Sequence, residues 1–227
     1  MIIIFVSFVI FLFAFYVLVK DDFVYLRKNV TPEDLFTAVF LSVPIVLVAA
    51  RVGYILLHPK WMYLNPFVFF LISYFPGLFI GTGILGEIIF LYVYTKNKKI
   101  PFLRLFDEVG LAFLLGTSVY FFLIGIQQWI LHVRIGIVDI IIGILYYVGY
   151  TLSKSLFLKE KWRDGSIGAF AVMLCCLFSL LFFTSLLLFL HGTPFGLEEI
   201  VYIVLLVVSV GFFVKIQYLL KKVVRNG

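Results

Sequence analysis

Long apolar runs separated by short polar joints set the rhythm of this chain. Seven runs, at about 2–19, 34–57, 77–95, 107–131, 135–153, 166–190 and 199–219, are each near the length needed to cross a bilayer. A helix rises 1.5 Å per residue, so about 20 residues span roughly 30 Å of hydrocarbon. The pattern predicts an all-α, polytopic membrane protein of seven transmembrane helices in one domain covering 1–227. The first run lacks a basic leader and a small-x-small cleavage site, which predicts an anchor rather than a removable signal.

The polar joints orient the bundle. With the N-terminus outside and the C-terminus inside, the inner joints hold Lys20, Arg27 and Lys28; Lys96, Lys98, Lys99 and Arg104; Lys154, Lys159, Lys161 and Arg163; and Lys215, Lys221, Lys222 and Arg225. Those are 15 of the 18 basic residues, and the outer joints keep Lys60 and Arg134. The bias obeys the positive-inside rule at every joint. Thr31-Pro-Glu-Asp34 reads as a helix start, with Thr31 as N-cap and Pro32 in the first position. Asp107 and Glu108 open the fourth helix, where acids favour the positive end of the dipole. Between the second and third helices, residues 58–76 hold Trp61, Met62 and Tyr63 and then an apolar run too short to span. This predicts an interfacial or re-entrant segment on the outer face.

Composition agrees. The chain is 64% hydrophobic and 13% charged, against about half and a quarter in soluble domains. The net charge of +6 is accounted for by orientation and by contact with anionic lipid, so the bilayer is the expected partner and nucleic acid is not. Cys175 and Cys176 are adjacent in an apolar run, cannot readily bridge within a helix, and read as packing thiols.

Two stretches carry the candidate chemistry. Pro76-Gly-Leu-Phe-Ile-Gly-Thr-Gly-Ile-Leu-Gly-Glu87 is glycine-rich, and small residues at such spacing mark close helix contact. It also brings an acid into the membrane, where a charge needs a partner. Ala50-Arg-Val-Gly-Tyr54 offers one. Arg51 lies roughly 9 Å from the outer end of its helix and Glu87 roughly 15 Å from the outer start of the next, so the depths overlap. An ion pair or a shared water cavity is expected, and a pair that merely ties two helices remains open. His58, His132 and His191 fall at the outer face, where histidine is the natural general base. No metal spacing, P-loop or nucleotide fingerprint appears, so no cofactor is expected.

From about Phe15 to Phe213 the chain resembles the bacterial prolipoprotein diacylglyceryl transferase family. Ala50-Arg-Val-Gly-Tyr54 resembles the family's G-A-R-L-G-Y, and Asn65-Pro66 its following N-P. Gly77 to Gly86 resembles G-G-L-S-F-H-G-G-L-L-G. Lys98-Lys-Ile-Pro-Phe-Leu-Arg-Leu-Phe-Asp107 is close to R-K-K-I-P-F-L-R-L-L-D and is the most specific match. Gly165-Ser-Ile resembles a G-S-V, and Gly196-Leu-Glu-Glu-Ile200 stands where the family has G-L-S-x-G-Q. Elsewhere the chain departs. The family's histidine falls at Gly81, and its G-R-x-G-N-F-x-N-G-E maps onto Gly116 to Gly125, with Thr117 at the arginine and Tyr120 and Leu123 at the asparagines. The arginine of its sixth helix falls near Ser179, and Phe183 replaces an acid.

The resemblance implies a seven-helix fold in a bacterial plasma membrane. It also implies transfer of the diacylglyceryl group of phosphatidylglycerol to the thiol of a lipobox cysteine in a lipoprotein precursor. Arg51, Glu87, His132 and His191 are then the expected catalytic groups. Tyr54, Gly81, Thr82, Gly83, Gly86, Gln128 and Arg134 are expected to bind substrate, and Asn65 and Asp107 to be structural. The alternative is a catalytically inactive relative that binds lipid or docks a partner. A solute or lipid transporter is a third possibility, disfavoured because no internal repeat is visible.

Overall fold

A computed structural model describes residues 2–20, 22–65, 77–131, 136–159, 168–190 and 197–226. The described chain is all-helical. In order it forms α1 (Ile2–Lys20), α2 (Phe23–Arg27), α3 (Pro32–Leu57), a 3-10 turn (Trp61–Leu64), α4 (Ile80–Lys98), α5 (Phe102–Ile130), α6 (Gly136–Lys159), α7 (Ala169–Leu190) and α8 (Leu197–Asn226). Each expected apolar run thus has a helix, with shifted ends. Thr31 is the N-cap of α3, its side chain accepting from the Asp34 amide, and Pro32 follows.

Four of these are long and apolar enough to cross a membrane among the described residues: Ile2–Lys20, Pro32–Leu57, Phe102–Ile130 and, within α6, Gly136–Ser155. Ala169–Leu181 and Ile200–Lys215 are shorter apolar stretches. α4 carries three glycines, Glu87, Lys96 and Lys98 and is not among the four. Large apolar side chains such as Phe5, Phe13, Leu56, Ile89, Leu145 and Val207 lie exposed along the helices, the surface expected of helices solvated by lipid. The chain is a multi-pass membrane protein.

α5 is the hub, packed by α1, α6 and α7, while α3 pairs with α4 and α7 with α8. Its inner face is closed by Leu105, Val109, Ala112 and Leu114 against Phe15, Leu35, Leu91, Tyr146 and Met173. Glycine sets the closest approaches. A Cβ on Gly125 would stand 2.7 Å from the Gly136 carbonyl and 2.8 Å from the Ile140 amide. About two turns away on each helix, the Ser118 hydroxyl donates to the Gly143 carbonyl at 2.8 Å. A Cβ on Gly110 would stand 2.9 Å from Phe170 Cα, at the start of α7.

One expectation is overturned at the start of α5. The helix begins at Phe102, so Arg104 is inside it rather than in a joint, and Asp107 and Glu108 lie beyond its first turn. The physical cause is the connection itself. Lys99 takes the left-handed conformation (φ 57°) and ends α4, its amide and that of Ile100 bonding back to Lys96 and Thr95. Pro101 then stands at the N-cap of α5. Three residues suffice for the turn, and Arg104 is carried into the interior.

There it finds acids. Arg104 donates to Asp22 from Nε at 2.9 Å and from Nη2 at 2.6 Å. Glu108, one turn on, lies 3.9 Å from Arg104 Nε and accepts the Tyr25 hydroxyl at 2.6 Å. Asp22 also accepts the Val24 amide at 2.8 Å, capping α2. Burial, and next the adjacent Glu108 carboxylate, push the Tyr25 phenol well above its usual range, so Tyr25 is the donor in that bond. Asp107 accepts the Phe170 amide at 3.2 Å and so serves the N-terminus of α7, where amides lack intrahelical partners. The side chains of Asp22, Arg104, Asp107 and Glu108 are all buried.

Two outcomes follow. Gly125→Val should lower unfolding stability by about 1–3 kcal/mol, because the added carbons meet backbone rather than a movable side chain. Arg104→Met alone should cost about 3–5 kcal/mol by stranding buried carboxylates, and Asp22→Leu with Glu108→Leu beside it should restore much of the loss. Denaturation in detergent, followed by tryptophan fluorescence, reads both. An unchanged midpoint in either single variant would contradict the corresponding packing.

Candidate functional site

At the far end of α3, the two stretches that the sequence singled out lie together. α3 and α4 run antiparallel in contact, with Gly83 against Ala50 and Val46, and Gly86 against Ala49. A Cβ on Gly53 would run into the Thr82 side chain. Small residues on both helices therefore set the spacing. The link into α4 is fastened as well, since the Phe79 amide donates to the Ala50 carbonyl at 2.9 Å.

Arg51 is buried at 1% exposure. Its Nη1 donates to the Gly77 carbonyl at 2.9 Å. Its guanidinium stands 5.2 Å from the Tyr63 ring centre and 5.9 Å from that of Tyr54, within range of cation–π attraction. Tyr54 stacks on His58 at 4.7 Å and meets Tyr63 edge-on at 6.3 Å. Gly77 has φ 147°, and a Cβ there would enter the Tyr54 ring. Only glycine fits such a bend without strain. The 3-10 turn, the end of α3 and the entry to α4 are thereby gathered around one cation.

Glu87 is not its partner. Among the described ion pairs none involves Glu87, and its side chain is half-buried. The helix register gives the reason. Ala50 lies beside Gly83 and Ala49 beside Gly86, so Glu87 stands about one turn, roughly 5 Å, further along α4 than the level of Arg51. Arg51 instead meets the Gly77 carbonyl and two aromatic faces among its contacts.

The other expected residues divide. Thr82 Oγ1 donates to the Phe79 carbonyl at 3.0 Å and faces Gly53, while Gly81 is buried against Phe79 and Leu205. Tyr54, Gly83 and Gly86 sit in the α3–α4 contact. Asn65 is exposed just after the 3-10 turn. Gln128 lies at the end of α5, and its side-chain oxygen is buried with no partner among the described residues. Asp107 is at the opposite end of the bundle, capping α7. His132, Arg134 and His191, and residues 66–76 of the expected re-entrant segment, lie outside the described residues.

The positions where the family carries its signature arginine and one asparagine are apolar in setting. Thr117 and Tyr120 line a groove of about 490 Å³ with Phe8, Phe11, Phe113 and Gly116, between α1 and α5. The Thr117 hydroxyl is spent on the Phe113 carbonyl at 2.7 Å. What the sequence did not reveal is the second polar centre, Asp22, Tyr25, Arg104 and Glu108. Its signal was present in the unusually specific stretch Lys98 to Asp107.

A family model described as prolipoprotein diacylglyceryl transferase matches residues 1–122. A relative from Clostridioides difficile (strain 630), called phosphatidylglycerol–prolipoprotein diacylglyceryl transferase, is 29% identical over 94 residues. That match covers 41% of this chain and 37% of the relative. No solved structure matches the chain. The matched half contains both the Arg51 and the Arg104 centres.

The bend at Gly77 yields a direct test. Gly77→Ala should destabilise the protein by about 1–3 kcal/mol through a strained φ and a clash with Tyr54. In a Tyr54→Ala background the same change should cost less, because the clash is gone and only the strain persists. Equal costs in both backgrounds would show that the ring does not confine Gly77.

Proposed function

Because the chain belongs to the prolipoprotein diacylglyceryl transferase family, we propose that it transfers a diacylglyceryl group from phosphatidylglycerol to the cysteine thiol of a lipoprotein precursor. The observation that carries this reading is the Arg51 centre, a buried cation held beside a glycine-rich helix entry within the part of the chain that matches the family. The protein then sits in the bacterial plasma membrane as one domain of seven spans, N-terminus outside, with the Arg51 end facing out.

In this reaction the thiol sulfur forms a bond to the glyceryl carbon that bears the phosphate ester. The carbon–oxygen bond breaks, phosphoglycerol leaves with the electron pair, and the thiol proton passes to a base. Arg51 contributes positive potential toward the phosphate and holds the Gly77 bend. Glu87, His132 and His191 are the candidate bases. Tyr54, Gly81, Thr82, Gly83, Gly86, Gln128 and Arg134 form the proposed substrate-binding set, and Asn65 fixes the loop before α4.

One observation favours a second reading, a relative that binds lipid without turnover. Thr117 and Tyr120 line an apolar groove where the resemblance leads one to expect an arginine and an asparagine.

Purified full-length protein in nanodiscs should lipidate a lipobox-cysteine peptide when phosphatidylglycerol is present and not when phosphatidylcholine replaces it. Arg51→Lys keeps a charge but loses the planar fork and should lower the rate about 10²-fold. No product from the wild type, with phosphatidylglycerol still co-purifying, would overturn the transferase reading in favour of the second.

A further inference from the structure

The short helix α2 is fixed from below by charge and left apolar above. Val24 and Tyr25 are 1% and 2% exposed, whereas Phe23 and Leu26 are 47% and 59% exposed. Asp22 at its N-cap holds Arg104, and Tyr25 holds Glu108. Such anchoring leaves α2 no freedom to turn Phe23 and Leu26 inward. Together with Val24 and Arg27 they border a crevice of about 400 Å³.

The surroundings are basic. Lys20, Arg27 and Lys28 are exposed beside α2, and Lys96, Lys98 and Lys99 are exposed at the nearby end of α4. Among the described residues on the ends of α3 and α4 here, the exposed or half-exposed acids are Glu33 and Asp34, and Asp34 is already engaged by Lys98 at 3.1 Å; Asp21 adjoins α2 in sequence. A soluble anion would attract the exposed cations but leave the exposed parts of Phe23 and Leu26 in water. A membrane surface does both, since amphipathic segments place apolar side chains at the acyl boundary and basic ones at the phosphates.

We propose that α2 is a membrane-interface element that binds anionic phospholipid, with Phe23 and Leu26 in the acyl region and Lys20, Arg27 and Lys28 at the lipid phosphates. This site lies roughly 30 Å along α3 from Arg51 and goes beyond the transferase reading, because it needs no reacting lipid. It makes the lipid contact at this end local and specific rather than a diffuse consequence of charge.

The test uses the full chain in phosphatidylcholine nanodiscs doped with phosphatidylserine, which is not the proposed donor. A spin label at Leu26→Cys, in a Cys175→Ala/Cys176→Ala background, should be accessible to oxygen and shielded from a water-soluble nickel reagent. Retention of phosphatidylserine in native mass spectrometry should fall about fivefold for each charge removed in Arg27→Gln and Lys28→Gln. Unfolding midpoints confirm that the variants fold. A nickel-accessible label would overturn the proposal and point to a soluble partner or second copy on this face. Equal retention in wild type and the Arg27→Gln/Lys28→Gln variant would also overturn it. Neither result depends on whether the protein transfers diacylglyceryl.

Discussion

A guanidinium taken out of water must be met by carboxylates in good geometry, because its desolvation costs several kcal/mol. Arg104 is such a group, buried four residues from Glu108 and bound to Asp22 across the bundle. Asp22 caps α2 and Tyr25 within α2 binds Glu108, so the ion pair fixes where α1 ends and α2 lies. It also fixes the rotation of α5, since Arg104 and Glu108 must face α2. With α5 so turned, Asp107 meets the start of α7 and Gly110 lets that helix come close. Ser118 and Gly125 then face α6.

The two ends of the molecule are closed by different physics. At the Arg104 end, charge is neutralised by charge and by a phenol. At the Arg51 end the contacts include a carbonyl and two aromatic faces. Glycine does the remaining work at that end, by letting α3 and α4 touch through Gly53, Gly83 and Gly86. A centre built this way is held by close packing.

Much of this was legible in the chain. Apolar runs located each long helix, because lipid demands helices of a set length, and the glycine spacing correctly brought Thr82, Gly83 and Gly86 against the end of α3. The Thr31–Pro32 cap was also legible, since capping is local chemistry. The Arg51–Glu87 pair was not, because the two helix ends are not level: α3 runs on to Leu57, past the point where the Phe79 amide bonds to Ala50 at the entry to α4. A shift of one turn separates two side chains that run counts place together. The burial of Arg104 was not legible, because its partner Asp22 is 82 residues away, beyond any local pattern. Thr117 and Tyr120 could be recognised as departures, but only the packing of α1 on α5 gave them an apolar groove.

That same separation of 82 residues has a consequence for biosynthesis. At about 5–20 residues per second, Asp22 leaves the ribosome on the order of 4–16 s before Arg104. During that interval α1 is already apolar enough to enter the bilayer, while its neighbouring acid has only the Val24 amide to bind. The Asp22–Arg104 contact can therefore form only once α5 has been made. A nascent chain stalled before Arg104 would hold the first helices without the latch that orients them, so assembly of this protein is vectorial by design of its charges.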